Sequence, residues 1–159
     1  MPSQVLSEQT TCVGAFVALR RAHAAATRQL NAKLTAEHDL TLNDFEVLLR
    51  LSRASDRRMR RVDLTQEVFL TASGITRLLD GLERLGLVER GSCESDRRVV
   101  YAVLTEAGLA KLREAAASHF AQVDELFGAR FDDAELASVT GLLSKLSEDA
   151  PEVDCDPGV

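Results

Sequence analysis

The sequence predicts a mainly α-helical chain with one small β-hairpin set into it, and three observations carry that expectation. A largely apolar stripe recurs at three- and four-residue steps near the start: Phe16, Leu19, His23, Ala26, Leu30 and Leu34. Between Leu87 and Leu104 the period changes, because LVERG, a polar turn and RVVYAVL read as two strands and their connection. Helix-start signals stand where periodic stretches begin: Thr41 with Asp44, Thr71 with Ser73, Thr105, and Asp132 with Glu135.

In chain order, a long first helix is expected over about Thr11–Glu37. A second, opened by Thr41, carries Phe45, Leu48, Leu49 and Leu51. The stretch ASDRRMRR, residues 54–61, is too charged and too short to be core. Val62–Val68 reads as a short helix. Past Phe69–Leu70, Thr71 and Ser73 can cap a helix bearing Ile75, Leu78, Leu79, Leu82 and Leu85, which Gly86 ends. After the hairpin, Thr105 opens a fifth helix with Leu109, Leu112, Ala116, Phe120 and Val123 on one face. A sixth is expected to turn Leu136, Val139, Leu143 and Leu146 inward. The closing APEVDCDPGV is acidic, holds two prolines and should be loose.

A length of 159 residues suits one domain with an ordinary apolar interior. No run of 18 apolar residues exists to span a membrane, and MPSQVLSEQTT has no basic stretch leading into an apolar core, so a cytoplasmic protein is expected. Cys12, Cys93 and Cys155 are odd in number, far apart and without CxxC spacing, which implies neither a disulfide framework nor a zinc knuckle. His23, His38 and His119 have no partner histidine four residues away, so no metal is expected. There is no Gly-rich phosphate loop, nucleophile elbow or carboxylate pair with identifiable geometry, so neither an enzyme nor a cofactor is expected.

Charge is divided unevenly. Residues 50–98 hold eleven basic and eight acidic residues, +3, against −1 before them and −8 after them, within a net charge of −6. A basic middle between acidic flanks fits a polyanion-binding module on an acidic scaffold. Helix, turn, helix, hairpin is also the order of a winged helix-turn-helix. A major groove about 12 Å wide admits one helix, whose N-terminal residues reach base edges. Here that helix begins TASGITR, with Thr71, Ala72, Ser73 and Thr76 small enough for close approach and Arg77 long enough to reach a base or phosphate. Arg97 and Arg98, at the hairpin tip behind Asp96, would meet the minor groove, where negative potential concentrates.

The run DRRVVYAVLTEAG resembles the pattern Asp-x-Arg, five residues, Leu-Thr-x-x-Gly of the MarR family of winged-helix regulators, with Asp96, Arg98, Leu104, Thr105 and Gly108 in place. DLTQEVFLTASGITRLLDGLERLGLVER is similar to that family's helix-turn-helix and first wing strand, including the phrase Leu82–Arg90. The likeness in element order covers about Thr11 to Leu146. It implies one domain over 1–159, with dimerisation helices at about 11–40 and 105–148, a DNA-binding lobe at 41–104 and a flexible acidic tail at 149–159. It also implies that Asp96 orients Arg98 and pairs with Arg77, with Arg97 beside them. The contrary reading of these residues is a surface ion-pair cluster worth under about 1 kcal/mol.

The family's members are homodimers joined by the first, fifth and sixth helices, and most are repressors. A first helix of this length exceeds what one small core can cover, which points to a partner independently. Partners expected are therefore double-stranded DNA, a second copy and a small anionic or phenolic effector, with no membrane. The resemblance implies an effector site between the dimer helices and the DNA-binding lobe. His23 falls on the apolar stripe of the first helix, with Arg20 a turn from Phe16 and Arg21 adjacent, and together they could hold a carboxylate or phenolate there. The competing reading is a buried histidine bonded to a backbone carbonyl beside two solvated arginines. A redox-switched regulator is an alternative: Cys12 lies early in the first helix, about one turn too far toward the N-terminus for the family's peroxide-sensing cysteine, and Cys93 lies near Arg97 and Arg98. Another alternative is a winged-helix protein-interaction module that binds no DNA.

Overall fold

A computed structural model describes residues 10–68, 70–92 and 99–146. Helix α1, Thr10–His38, is followed by α2, Leu42–Arg53, a 3-10 turn at Ser55–Arg57 and strand β1, Arg58–Arg60. Helices α3, Arg61–Glu67, and α4, Ala72–Arg84, lead into strands β2, Val88–Ser92, and β3, Val100–Leu104. Two helices close the described chain: α5, Glu106–Gly128, and α6, Asp133–Ser144.

The start signals expected from the sequence act as caps. Thr41 Oγ1 accepts from the Asp44 N–H while Asp44 Oδ2 accepts from the Thr41 N–H, a reciprocal capping box. Asp132 and Glu135 do the same for α6. The α1–α2 corner turns on Asp39 at φ 54°, a left-handed conformation that aspartate tolerates better than most side chains. At the end of α4, Gly86 adopts φ 70°. Its N–H donates to the Glu83 carbonyl (2.9 Å) and the Leu87 N–H donates to the Leu82 carbonyl (3.0 Å), which closes a Schellman motif.

One core unites the middle of the chain with the C-terminal half of α1 and the N-terminal half of α5. Leu34, Leu48, Leu51, Leu64, Ile75, Leu82 and Leu112 are essentially fully buried in it. The Phe45 and His119 rings meet here at a tilt, with centroids 4.5 Å apart, so His119 packs on the fifth helix as expected. Burial lowers the His119 pKa, because the ring leaves water.

Three expectations are corrected. The hairpin belongs to a three-stranded sheet in the order β1-β3-β2, because the charged stretch 54–61 contains a strand. Arg58 and Arg60 of β1 point to solvent while Met59 packs on the core, and β1 pairs antiparallel with β3 in the register Arg60↔Tyr101. Charged outward positions suit an edge strand, so high charge there does not exclude sheet structure. Leu85, placed on the apolar face of α4, is 61% exposed because the helix ends at that residue. In α6, Leu136 and Val139 are half-buried but Leu143 is 42% exposed, and Leu146, two residues past the helix end, is 76% exposed. No residue of α6 is buried within the chain.

The N-terminal half of α1 is equally bare: Val13, Phe16, Val17 and Leu19 are all exposed. The tail at 149–159 lies outside the described residues. Among the described residues, no helix is long and apolar enough to cross a membrane.

Candidate nucleic-acid interface

The first turn of α4 is built by its own hydroxyls. Thr71 Oγ1 accepts from the Gly74 N–H at 3.1 Å and lies 3.3 Å from Ser73 Oγ. Thr76 donates its hydroxyl proton to the Ala72 carbonyl at 2.8 Å. One proton of the Thr71–Ser73 hydroxyl pair is left to offer outward, while Thr76 presents lone pairs and a methyl group. Thr71, Ala72, Ser73 and Arg77 are exposed and Thr76 is half-exposed, so all five expected residues stand together at the open start of the helix. Arg77 forms no ion pair among the described residues. Asp96, Arg97 and Arg98, and with them the expected Asp96–Arg77 pairing, lie outside the described residues, as does Cys93.

The placement of the wing against α4 follows from side chains to which the sequence reading gave no role. Arg90 of β2 donates through Nη2 to Asp80 Oδ1 and through Nε to Glu83 Oε2 (2.9 Å), bracing the strand to two successive turns of α4. This brace also sets a positive charge against two carboxylates on the helix that carries the open turn. Arg90 ends the Leu82–Arg90 stretch of the family pattern, but its contact depends on how the strand folds back.

A second device locks the base of the wing. The Thr105 hydroxyl donates to the Gly86 carbonyl at 2.7 Å and accepts from the Gly108 N–H at 3.0 Å, while the Thr105 N–H donates to the Leu87 carbonyl at 3.2 Å. Gly108 is pressed against that same carbonyl: a Cβ there would lie 2.0 Å from Leu87 O. Leu-Thr-x-x-Gly thus ties the end of β3 and the start of α5 to the end of α4.

The residues expected to hold an effector are not gathered in this way. The Arg20 guanidinium lies 5.9 Å from the Phe16 ring centroid, and Arg21 and His23 are exposed. The reading of His23 as a buried, carbonyl-bonded histidine is not realised in the single chain. Neither of the two clefts beside the wing is lined by Arg20, Arg21 or His23. Cys12 is exposed in the first turn of α1.

A short helix, a turn, an open-ended second helix and a braced antiparallel hairpin define a winged helix-turn-helix, here flanked by long terminal helices. A sequence profile described as the MarR family matches residues 38–99. The HTH-type transcriptional repressor YetL of Bacillus subtilis (strain 168) is 31% identical over 113 residues, covering 71% of this chain and 67% of the relative. The crystal structure of AbsC, a MarR family transcriptional regulator from Streptomyces coelicolor, is similar at 33% identity with a TM-score of 0.77, over 85% of this chain and 90% of that one. Sco3205, a MarR family regulator from the same organism solved in complex with DNA, shares the fold at a TM-score of 0.80 and 23% identity, over 89% of each chain. The chain belongs to the MarR family of transcriptional regulators, which are not enzymes.

Proposed function

We propose that this chain is a cytoplasmic repressor that binds a pseudo-palindromic operator as a homodimer, with two copies of α4 in successive major grooves and the wings against the minor grooves. The observation that carries the reading is the open first turn of α4, where Thr71, Ser73, Thr76 and Arg77 present donors and acceptors to one side. The wing held beside it by Arg90 is the second support. Asp96, Arg97 and Arg98 carry the minor-groove contact in this reading, from their place in the family pattern.

The homodimer is supported by the apolar faces left bare on α1 and α6, which lie at the two ends of the chain and outside the winged lobe. Repression is supported by the name of the relative YetL. Release by a small anionic or phenolic ligand rests on Arg20, Arg21 and His23, whose helix carries the bare face that a second copy would cover.

Fluorescence anisotropy of a labelled duplex, titrated at several salt concentrations, tests the reading. Counterion release predicts an affinity that falls steeply and log-linearly with salt. A chain that leaves duplex DNA unbound at low salt would be a protein-interaction module instead.

A further inference from the structure

The sequence 54–61 carries four arginines, and three of them have a local task. Arg57 Nη1 donates to Glu106 Oε1 at 2.6 Å, and the Arg58 guanidinium lies 4.9 Å from the Tyr101 ring centroid. Arg60 grips Asp63 with two bonds of 2.7 and 2.9 Å. Arg61 differs: it is exposed, and its side chain makes no ion pair or hydrogen bond among the described residues. It borders both clefts beside the wing. In one it faces Thr76 and Asp80 of α4 together with Val100 and Tyr101 of β3, and in the other it joins Val99 and Val100. Arg90 already occupies Asp80 and Glu83, the carboxylates that α4 contributes to the first cleft.

Arg61 therefore stands between the helix that would enter the major groove and the strand that leads to the wing tip. When a helix fills a major groove and a hairpin follows the adjacent minor groove, one sugar–phosphate strand runs between them, and the first helix of a helix-turn-helix crosses that backbone. We infer that Arg61 is a phosphate contact on this intervening strand, which positions the lobe on the duplex without reading its sequence. The inference rests on the DNA-binding reading above and adds a residue to it.

The test uses the full chain, a duplex recovered with it from a random pool, and a scrambled duplex, with anisotropy measured across salt. Arg61→Gln is expected to lower the slope of log affinity against log salt by about 0.9 per arginine removed, hence by about twice that for a two-copy complex. Affinity should fall by the same factor on both duplexes, so that their ratio is unchanged. Arg61→Lys should keep the slope, and Arg57→Gln, which removes an arginine held by Glu106, should leave it at the wild-type value. An Arg61→Gln slope equal to wild type overturns the inference, as does a loss confined to the recovered duplex. Wild-type chain that binds neither duplex overturns the DNA-binding reading itself, and Arg61's role with it.

Discussion

Gly108 shows how much one residue can fix. Its missing Cβ lets α5 press against the Leu87 carbonyl, and any side chain there would also meet Leu104 Cδ1 at 2.7 Å. Gly108→Ala is expected to cost about 3 kcal/mol, the upper end for overpacking, read as a lowered urea midpoint; an unchanged midpoint would mean that this contact is not made. The sequence displays Thr105 and Gly108 as members of a pattern, but the reason is a contact with Leu87, which spacing within the pattern does not encode. His119 makes a second prediction at this scale. Burial lowers its pKa, so folding favours the neutral ring. Its contribution is fully present above the ordinary histidine value of about 6.5 and is lost as pH falls through the lowered folded value. Melting temperatures compared at pH 7.5 and 5.5 should show a smaller acid loss in His119→Leu than in wild type; equal losses would place the titration elsewhere.

At the scale of elements, the helices were legible because their signals are local. Thr41 with Asp44 and Asp132 with Glu135 form the boxes their spacing announces, and the periodic stripe of α4 puts Ile75 and Leu82 in the core. Strand β1 was not legible. Arg-Met-Arg offers one cycle of alternation, and its partner β3 lies beyond α4 in sequence, so the pairing is a tertiary fact. The candidate site divides the same way: Thr71 to Arg77 follow from a cap and a helix, whereas Arg90 and Arg61 matter through what folds against them. The Arg90 brace is expected to act on DNA binding more than on folding. Arg90→Ala should change stability by under about 1 kcal/mol, as for exposed ion pairs. Duplex affinity should nevertheless drop, because Asp80 and Glu83 would then face the phosphates without their counter-charge. Affinity at the wild-type level in an anisotropy titration would count against the brace.

For the whole molecule, the informative surface is the uncovered one. Phe16 at 59% and Leu142 at 61% exposure are costly to leave in water, and they belong to the two terminal helices. Periodicity in the sequence marks the side of α6 that needs cover, but it does not say which chain supplies it; hence Leu143 and Leu146 read as inward and lie outside this chain's own core. Replacing Leu142 and Leu146 by Glu is expected to convert the proposed dimer into a folded monomer in sedimentation equilibrium, with the winged lobe intact by circular dichroism. A double variant that sediments as wild type would place the interface elsewhere.

The proposed pairing of two copies implies two half-sites, and selection of bound duplexes from a random pool reads both at once. The account predicts an inverted repeat whose half-site centres lie about 10 base pairs, one helical turn, or a multiple of that apart. Recovery of single, unrepeated sites, or of no enriched sequence at all, would contradict it.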